Sequence, residues 1–223
     1  MNFDARVFLF AILQARKAFE DYADERPSRG AEATRGVHTP SSNHQLSRLI
    51  LRVQTLHFQA KNETTILSTT ISRGVKLWQD IENWEGFDAG TLAGDEEMKW
   101  LYQSSLFIWL HLIVYPESIE TEKLQQLATP GIEHFKNLSS SQAPALLLFP
   151  IFFHGLICRK DLDRQITMEA FSKLIPGGDE SHFRIFEATI TWCWRNYDHG
   201  AVRSWDWTDR VSPSFISSHP AFD

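Results

Sequence analysis

The stretch that decides the fold reads LLFPIFFHGLICR and occupies residues 147–159. It is almost uniformly apolar, yet it contains Pro150 and Gly155 and is too short to cross a membrane. A proline inside a helix removes a backbone donor and kinks the helix, and an interior glycine costs about 1 kcal/mol relative to alanine. The stretch therefore predicts a buried, kinked helix in which Gly155 lies at a close contact with a neighbouring helix.

The large side chains near this contact give two further predictions. At least two of Phe149, Phe152 and Phe153 are expected to be fully buried, as large aromatic residues of a helical core are. The helix that packs on the glycine is predicted to be the last one, with Trp192 or Trp194 lying across it.

A charged corner over residues 160–164 follows the apolar stretch. Its carboxylates, Asp161 and Asp163, lie where a new helix is predicted to start. We interpret them as capping groups with a local ion pair to Arg164, and not as an acid–base pair, because carboxylates are common at helix starts.

Apolar residues recur at helical spacing through much of the remaining chain. Steps of three and four residues predict an amphipathic helix over residues 3–24, with Phe8, Ala11, Ala15, Phe19 and Tyr22 on one face. Further helices are predicted over 46–57, 64–84, 96–115, 121–138, 144–158, 164–174 and 179–197. The predicted fold class is all-α, a multi-helix bundle or array of about seven to eight helices without a significant sheet.

The size and composition of the chain suit one helical domain. Its 223 residues are 43% hydrophobic and include 8 tryptophans and 16 phenylalanines, which is enough for a large aromatic core. We therefore expect a single helical domain over residues 1–223. Residues 25–43 are polar and contain prolines and glycines, so they are predicted to form a flexible loop, and residues 208–223 are predicted to form an irregular tail.

The charge and the cysteines argue against several functional classes. The formal net charge is −6 and the pI is about 5.8, which does not suit direct nucleic-acid binding. The longest apolar runs, 106–115 and 144–158, fall short of the ~20 residues that span a bilayer, so no membrane association is expected. Cys158 and Cys193 lie in apolar, helical contexts and are interpreted as reduced, buried thiols.

Three histidines, His57, His111 and His154, lie on apolar stretches. They do not have the spacing of four residues that places two metal ligands on one helix face, and we predict no metal site and no cofactor. Each is interpreted as a hydrogen-bonded core residue. If the core holds a cavity, His111 and His154 are the natural general acid–base pair.

The aromatic residues allow a second interpretation, because ligand pockets are mostly apolar with a few polar groups. The same residues fill helix interfaces in most helical proteins. The candidates for lining a pocket for a flat or terpenoid ligand are Trp109, Phe152, Phe153, Trp192 and Trp194. The Trp205-Asp206-Trp207 segment lies beyond the last predicted helix and is expected to cover the end of the bundle or to contact a partner.

Residues 147–159, followed by Asp163 and Arg164, resemble the LLFPLF-x-x-G helix of the fungal-specific transcription factor domain. The tryptophan-rich residues 192–195 and 205–207 are similar to the end of that domain, and the resemblance covers about residues 98–207. In this family the domain is a helical regulatory region that follows a binuclear zinc cluster. The two cysteines of this chain cannot form a six-cysteine cluster. The chain thus resembles a shortened copy without the DNA-binding module.

The resemblance implies a regulatory or effector-sensing domain that acts in the nucleus through a protein partner or a homodimer, with a small apolar ligand as a further option. A fragment of a longer regulator and a degenerate relative both fit this pattern. The alternative is a stand-alone biosynthetic enzyme of secondary metabolism, a cytoplasmic cyclase or isomerase in which His111 or His154 moves protons inside an aromatic pocket. A cavity that reaches a histidine would favour the enzyme, and a filled core with an exposed apolar patch would favour the regulator.

Overall fold

The computed structural model describes residues 42–61, 63, 65–87, 95–116, 119–138, 144–174 and 180–209. Within these ranges the chain forms seven α-helices and no strand, which confirms the all-α prediction. The helix predicted over residues 3–24, most of the loop predicted over 25–43 and nearly all of the tail predicted over 208–223 lie outside the described residues.

The seven helices follow one another along the chain, and a short 3₁₀ turn comes after them. They are α1 (Ser42–Lys61), α2 (Ser68–Glu82), α3 (Asp95–Val114), α4 (Glu122–Lys136), α5 (Pro144–Leu156), α6 (Asp161–Lys173) and α7 (Glu180–Asp198), and the turn is Trp207–Asp209. None of these helices is long and apolar enough to cross a bilayer. Pro130 lies inside α4 without ending it.

Helix α2 begins at Ser68, later than the pattern over residues 64–84 predicted. The Glu63 carboxylate accepts the backbone N–H of Leu67 at 2.8 Å and the hydroxyl of Thr70 at 2.7 Å. Both bonds lower the pKa of Glu63, and the bond from the Leu67 N–H has the larger effect. Because Glu63 satisfies donors at the start of α2, the helix begins at the residue after Leu67, whose backbone is extended.

Helices α3 and α5 form the centre of the fold. Helix α3 packs against α1, α2, α4 and α5, and helix α5 packs against α3, α4, α6 and α7. All described side chains of α5 are buried. A helix that is apolar on every side is stable only when other helices surround it, which explains why the most apolar stretch of the sequence lies at the centre.

Pro150 lies inside α5 and leaves a carbonyl group without its helical donor. In a regular helix the N–H of residue 150 would bond to the carbonyl of Leu146, and proline has no N–H. The hydroxyl of Tyr102 in α3 donates to the Leu146 oxygen at 2.7 Å instead. Burial raises the pKa of Tyr102 and so keeps the hydroxyl protonated. A neighbouring helix thereby satisfies the group that the proline left free.

The three phenylalanines of α5 lie in the core, which confirms the sequence prediction. Phe149, Phe152 and Phe153 are all buried. The ring of Phe149 stacks on Tyr102 with centroids 5.5 Å apart, and the ring of Phe153 stacks on Trp109 at 4.8 Å. These pairs join α5 to α3 at the middle of the fold.

Gly155 lies at a close contact between helices, as predicted. A Cβ atom at this position would collide with the Cγ2 methyl of Thr167 in α6 and would lie 3.1 Å from Cδ1 of Ile190 in α7. The indole N–H of Trp194 donates to the Gly155 carbonyl at 2.9 Å, so the last helix does contact the glycine through Trp194. The atom closest to this Cβ position nevertheless belongs to Thr167, a contact that the sequence did not predict.

The charged corner after α5 differs from the prediction. Helix α6 is preceded by Lys160, and no side chain caps its first turn. Arg164 forms two hydrogen bonds with the Asp198 carboxylate at the end of α7, at 2.8 and 2.7 Å, and donates to the Cys158 carbonyl at 3.2 Å. The expected capping is therefore wrong, and the salt bridge of Arg164 is formed with Asp198, while the charge of Asp161 acts on Arg164 as a smaller effect. The acidic residues of the first turn interact favourably with the helix dipole, while Arg164 joins α5, α6 and α7.

Candidate functional site

The most polar part of the core surrounds His57 in α1. Its ring is buried among three tryptophans, with centroid distances of 6.0 Å to Trp109, 5.3 Å to Trp205 and 5.8 Å to Trp207. Trp109 comes from α3, and the other two come from the segment after α7. The sequence predicted a core histidine here, but it did not predict which residues surround it.

The contacts of the imidazole fix its tautomer. The indole N–H of Trp109 donates to Nδ1 of His57 at 3.1 Å, so Nδ1 must be unprotonated and the ring proton lies on Nε2. Nε2 is 3.4 Å from Oδ1 of Asp206. This distance is longer than an ordinary N–H···O bond, and we describe the contact as electrostatic. The imidazole thus connects a tryptophan donor to a carboxylate.

Asp206 is held by several groups at once. Its Oδ1 accepts the hydroxyl of Thr208 at 2.5 Å and the Thr208 backbone N–H at 3.2 Å, and Lys61 donates to the Thr208 hydroxyl at 2.8 Å. Burial raises the pKa of Asp206, but His57, Thr208 and Lys61 outweigh it and lower this pKa to about 2. The carboxylate is therefore ionised at neutral pH, and it connects the C-terminal segment to α1.

A small recess lies beside these groups. Its lining includes His57, Lys61, Arg203, Trp205 and Asp206. The space in which the centre of a water molecule can lie is about 10 Å³, so the recess has room for about one water. A recess of this size can hold a water molecule, and it is too small for a terpenoid or a flat ring system.

The Trp205-Asp206-Trp207 segment covers the end of the bundle, which is one of the two roles expected from the sequence. Both indoles are buried, and the N–H of Trp205 donates to the carbonyl of Pro116 at the end of α3 at 2.8 Å. The backbone of Arg203 has a φ of 58°, in the left-handed region, just before the chain enters the core. The two tryptophans on either side of Asp206 in the sequence indicated this cover. Nothing in the sequence indicated the contact between Asp206 and His57.

His154, one of the two predicted acid–base residues, is fully buried between α3 and α4. Its Nε2 is 2.9 Å from the Ser104 hydroxyl and its Nδ1 is 3.4 Å from the Ala128 carbonyl. Burial lowers the pKa of His154 to about 4, so the ring is neutral at pH 7. The ring lies against the backbone of Gly131, where a Cβ atom would collide with it. These contacts are those of a packed helix interface.

His111, the second predicted acid–base residue, lies near the end of α3. Its Nε2 is 3.3 Å from the Thr121 hydroxyl, and its ring is 4.9 Å from the ring of Tyr115. Burial, and then the charge of Lys123, lowers the pKa of His111. Among the described residues, no hydrogen bond or ring contact joins His111 to His154.

The five predicted pocket residues contact other core residues. Trp109 stacks on Phe153, while Phe152 lies edge-on to Phe186 at 5.3 Å and to Trp207 at 6.0 Å. Trp194 is buried and bonds to Gly155, and Trp192 is partly buried against the core. The recess described above has none of these five in its lining.

The two cysteine side chains are also buried in the core. Cys158 and Cys193 are free and buried, and burial raises the pKa of both, that of Cys158 to about 12. They are therefore protonated and unreactive at neutral pH. Within the described ranges, no group of three or more histidine, cysteine or carboxylate side chains is arranged to hold a metal ion.

Comparison with known families gives one match that covers most of the chain. The model of the fungal specific transcription factor domain matches residues 12–216, which include all seven helices, Gly155 and the Trp205–Trp207 cover. Comparisons with curated proteins and with solved structures give no match. Because the matched range includes the central α5 and the closing aromatic segment, the chain belongs to the fungal-specific transcription factor domain family.

Proposed function

We propose that this chain is a transcriptional regulatory domain that works in the nucleus through contacts with a protein partner or with a second copy of itself. Family membership supports a transcription-factor-like regulatory role. The choice of protein contacts over ligand sensing is our inference. The two cysteines of these 223 residues are too few for the six-cysteine zinc cluster of the family, so we expect this domain to act on transcription through protein contacts and not through DNA contacts of its own.

One observation carries this choice, namely how the aromatic core is filled. The residues that would have to line a ligand pocket, such as Trp109, Phe152 and Phe153, stack on one another instead. The recess next to His57 has room for about one water. Because these core residues fill the space among the described helices, we expect a partner to be recognised by the outer surface of the domain.

The enzyme alternative has less support. A cyclase or isomerase needs a cavity at the groups that move protons. His154 is completely buried between helices, and His111 is bonded to Thr121. We therefore do not propose catalysis by His111 or His154.

A tethering experiment tests the proposal. The chain is fused to an unrelated DNA-binding module, and transcription of a reporter with the matching site is measured in a fungal host. We expect a several-fold change, up or down, relative to the module alone. A fusion with Gly155→Leu serves as the matched control, because the bulky side chain has no room next to Thr167 and should prevent folding.

The outcomes separate the alternatives. A change that Gly155→Leu abolishes supports a folded regulatory domain. A fusion that is nuclear, soluble and folded, yet leaves the reporter at the level of the module alone, contradicts the proposal. A change that depends on adding a small molecule to the medium would instead support ligand sensing.

A further inference from the structure

Helix α2 has a row of large apolar side chains on its outer surface. Leu67, Ile71 and Val75 are 54%, 40% and 55% exposed, respectively. They are spaced by four residues. Leu67 is the residue just before the helix, and Ile71 and Val75 lie one turn apart on one face of it. Trp78 continues the row and stacks on Phe107 of α3 with ring centroids 4.2 Å apart. We call these four residues the α2 strip.

The exposure of the α2 strip is not explained by the packing of α2 itself. The helix already buries a separate row, which contains Thr70, Gly74, Leu77 and Ile81, against its neighbours α1 and α3. Scattered exposed apolar residues are common, but an aligned row next to a partly buried aromatic pair marks a contact surface. This face of α2 is therefore available to a second apolar element.

The edge of the strip carries positive charge. The ammonium group of Lys123 in α4 lies 4.5 Å from the centroid of the Trp78 ring. Its side chain is exposed, and it approaches the strip from the α4 side. An element that covers the strip would gain from carboxylates placed at this edge.

We propose that the α2 strip is the docking surface for residues 3–24 of the same chain. The sequence predicts an amphipathic helix there, with Phe8, Ala11, Ala15, Phe19 and Tyr22 forming its apolar face. Three carboxylates, Glu20, Asp21 and Asp24, lie near the end of this segment and complement Lys123. The family match begins at residue 12, so much of the segment belongs to the matched domain.

The connection is long enough for this arrangement. Helices α1 and α2 are antiparallel, because Arg52 pairs with Asp80 and Gln59 pairs with Arg73, both at 2.6 Å. Ser42 therefore lies about 15 Å beyond Arg52, towards the C-terminal end of α2. Residues 25–41 can extend to about 55 Å, so they reach any point along the α2 strip. The proposal concerns the fold and does not depend on the regulatory role.

Hydrogen exchange of the full chain, followed by mass spectrometry, tests the proposal. We expect backbone amides in residues 3–24 to exchange at least roughly tenfold more slowly than in the same segment as a free peptide. Val75→Glu should remove this protection, because it places a charge under the docked segment, while the amides of α5 stay protected. Phe19→Glu should have the same effect from the other side of the contact.

The matched control is Val202→Glu, which adds the same charge at a residue that is 77% exposed and lies outside the strip. It should leave the exchange of residues 3–24 unchanged. Circular dichroism and thermal unfolding verify that all three variants remain folded. Fast exchange of residues 3–24 in the unmodified chain, or protection that Val75→Glu leaves intact, would overturn the proposal.

Light scattering separates docking within one chain from docking between two copies. Protection that persists in a monomer and does not change on dilution supports the proposal. Protection that appears only together with a dimer, and disappears when the dimer is diluted, would show that a second copy covers the strip. It would then overturn docking within one chain.

Discussion

At the scale of single residues, two buried glycines make room for a side chain of a neighbouring helix. Gly155 lets Thr167 of α6 approach the backbone of α5, and Gly131 leaves space for the ring of His154. Neither glycine has unusual backbone angles, since the described glycines with positive φ are Gly86 and Gly200. The two glycines are therefore needed for close packing between helices, and a methyl group at either position should be costly.

The first prediction concerns Gly155→Ala. The added methyl group would collide with Cγ2 of Thr167, and the cost of overpacking, about 1–3 kcal/mol, should exceed the gain of about 1 kcal/mol in helix propensity. We expect a lower free energy of unfolding in urea. In a Thr167→Ser background, which removes Cγ2 but keeps the hydroxyl that bonds to the Asp163 carbonyl, the same substitution should cost much less. Equal losses in both backgrounds would show that Thr167 is not the obstacle.

The second prediction is a pH dependence of stability that comes from His154. Its pKa is lowered from the model-peptide value of 6.5 to about 4 because the ring is buried. Below pH 6.5 the unfolded chain binds a proton that the folded chain does not, so this stability is complete above pH 6.5 and is lost as the pH falls towards 4. The loss should be on the order of 3 kcal/mol.

The measurement is urea unfolding at a series of pH values for the unmodified chain, His154→Gln and His199→Gln. Glutamine cannot take up the proton, so the stability of His154→Gln should fall less steeply between pH 6.5 and pH 4, whatever its absolute value. His199 lies at the exposed end of α7, and its replacement should leave the slope unchanged. Parallel curves for all three proteins would exclude His154 as the source.

At the scale of elements, α5 accepts hydrogen bonds from two neighbouring helices. Tyr102 of α3 bonds to the Leu146 carbonyl, and Trp194 of α7 bonds to the Gly155 carbonyl near the helix end. Arg164 then joins the loop after α5 to Asp198 and lies over the Trp194 ring, 5.4 Å from its centroid. Helix α5 thus contains a proline and a glycine, and at each of them a side chain of another helix donates a hydrogen bond to a backbone carbonyl of α5.

The third prediction tests the link between Pro150 and Tyr102. Tyr102→Phe removes the only hydroxyl that bonds to the buried Leu146 carbonyl within the described residues, and it should cost about 1–3 kcal/mol. In a Pro150→Ala background, residue 150 supplies an N–H to that carbonyl, so Tyr102→Phe should cost clearly less. Urea unfolding of the four proteins gives the coupling energy. A coupling energy near zero would mean that the two residues act independently.

At the scale of the whole molecule, the described helices share one continuous core that extends from Leu46 to Trp207. The sequence predicted that the phenylalanines of α5 would be buried and that Gly155 would lie at a close contact, because a helix that is apolar on every side must lie in the core. The helical pattern over residues 64–84 did not identify the buried face of α2, since Ile71 and Val75 of that pattern are exposed. The sequence also did not predict that His57 would meet Asp206, or that Arg164 would pair with Asp198. Both contacts join residues that are far apart in sequence, and the periodicity of a helix does not show what lies against it.

The charge of the chain bears on whether it can bind DNA directly. The formal net charge is −6 at pH 7, and three of the basic side chains, Arg52, Lys136 and Arg164, are paired with carboxylates. Binding to duplex DNA without sequence preference requires several free lysines or arginines that neutralise phosphates together. These three cations are therefore already neutralised by carboxylates, and the net negative charge disfavours contact between this chain and the duplex.

The last prediction is therefore that the purified chain does not bind DNA by itself. In a gel-shift titration at low salt, where phosphate contacts are strongest, we expect no complex with a duplex at micromolar protein. The matched control is the tethering fusion, which carries the unrelated DNA-binding module and should shift its own site under the same conditions. A complex formed by the chain alone that disappears as salt is raised would contradict the prediction, because that salt dependence identifies direct contacts with phosphates.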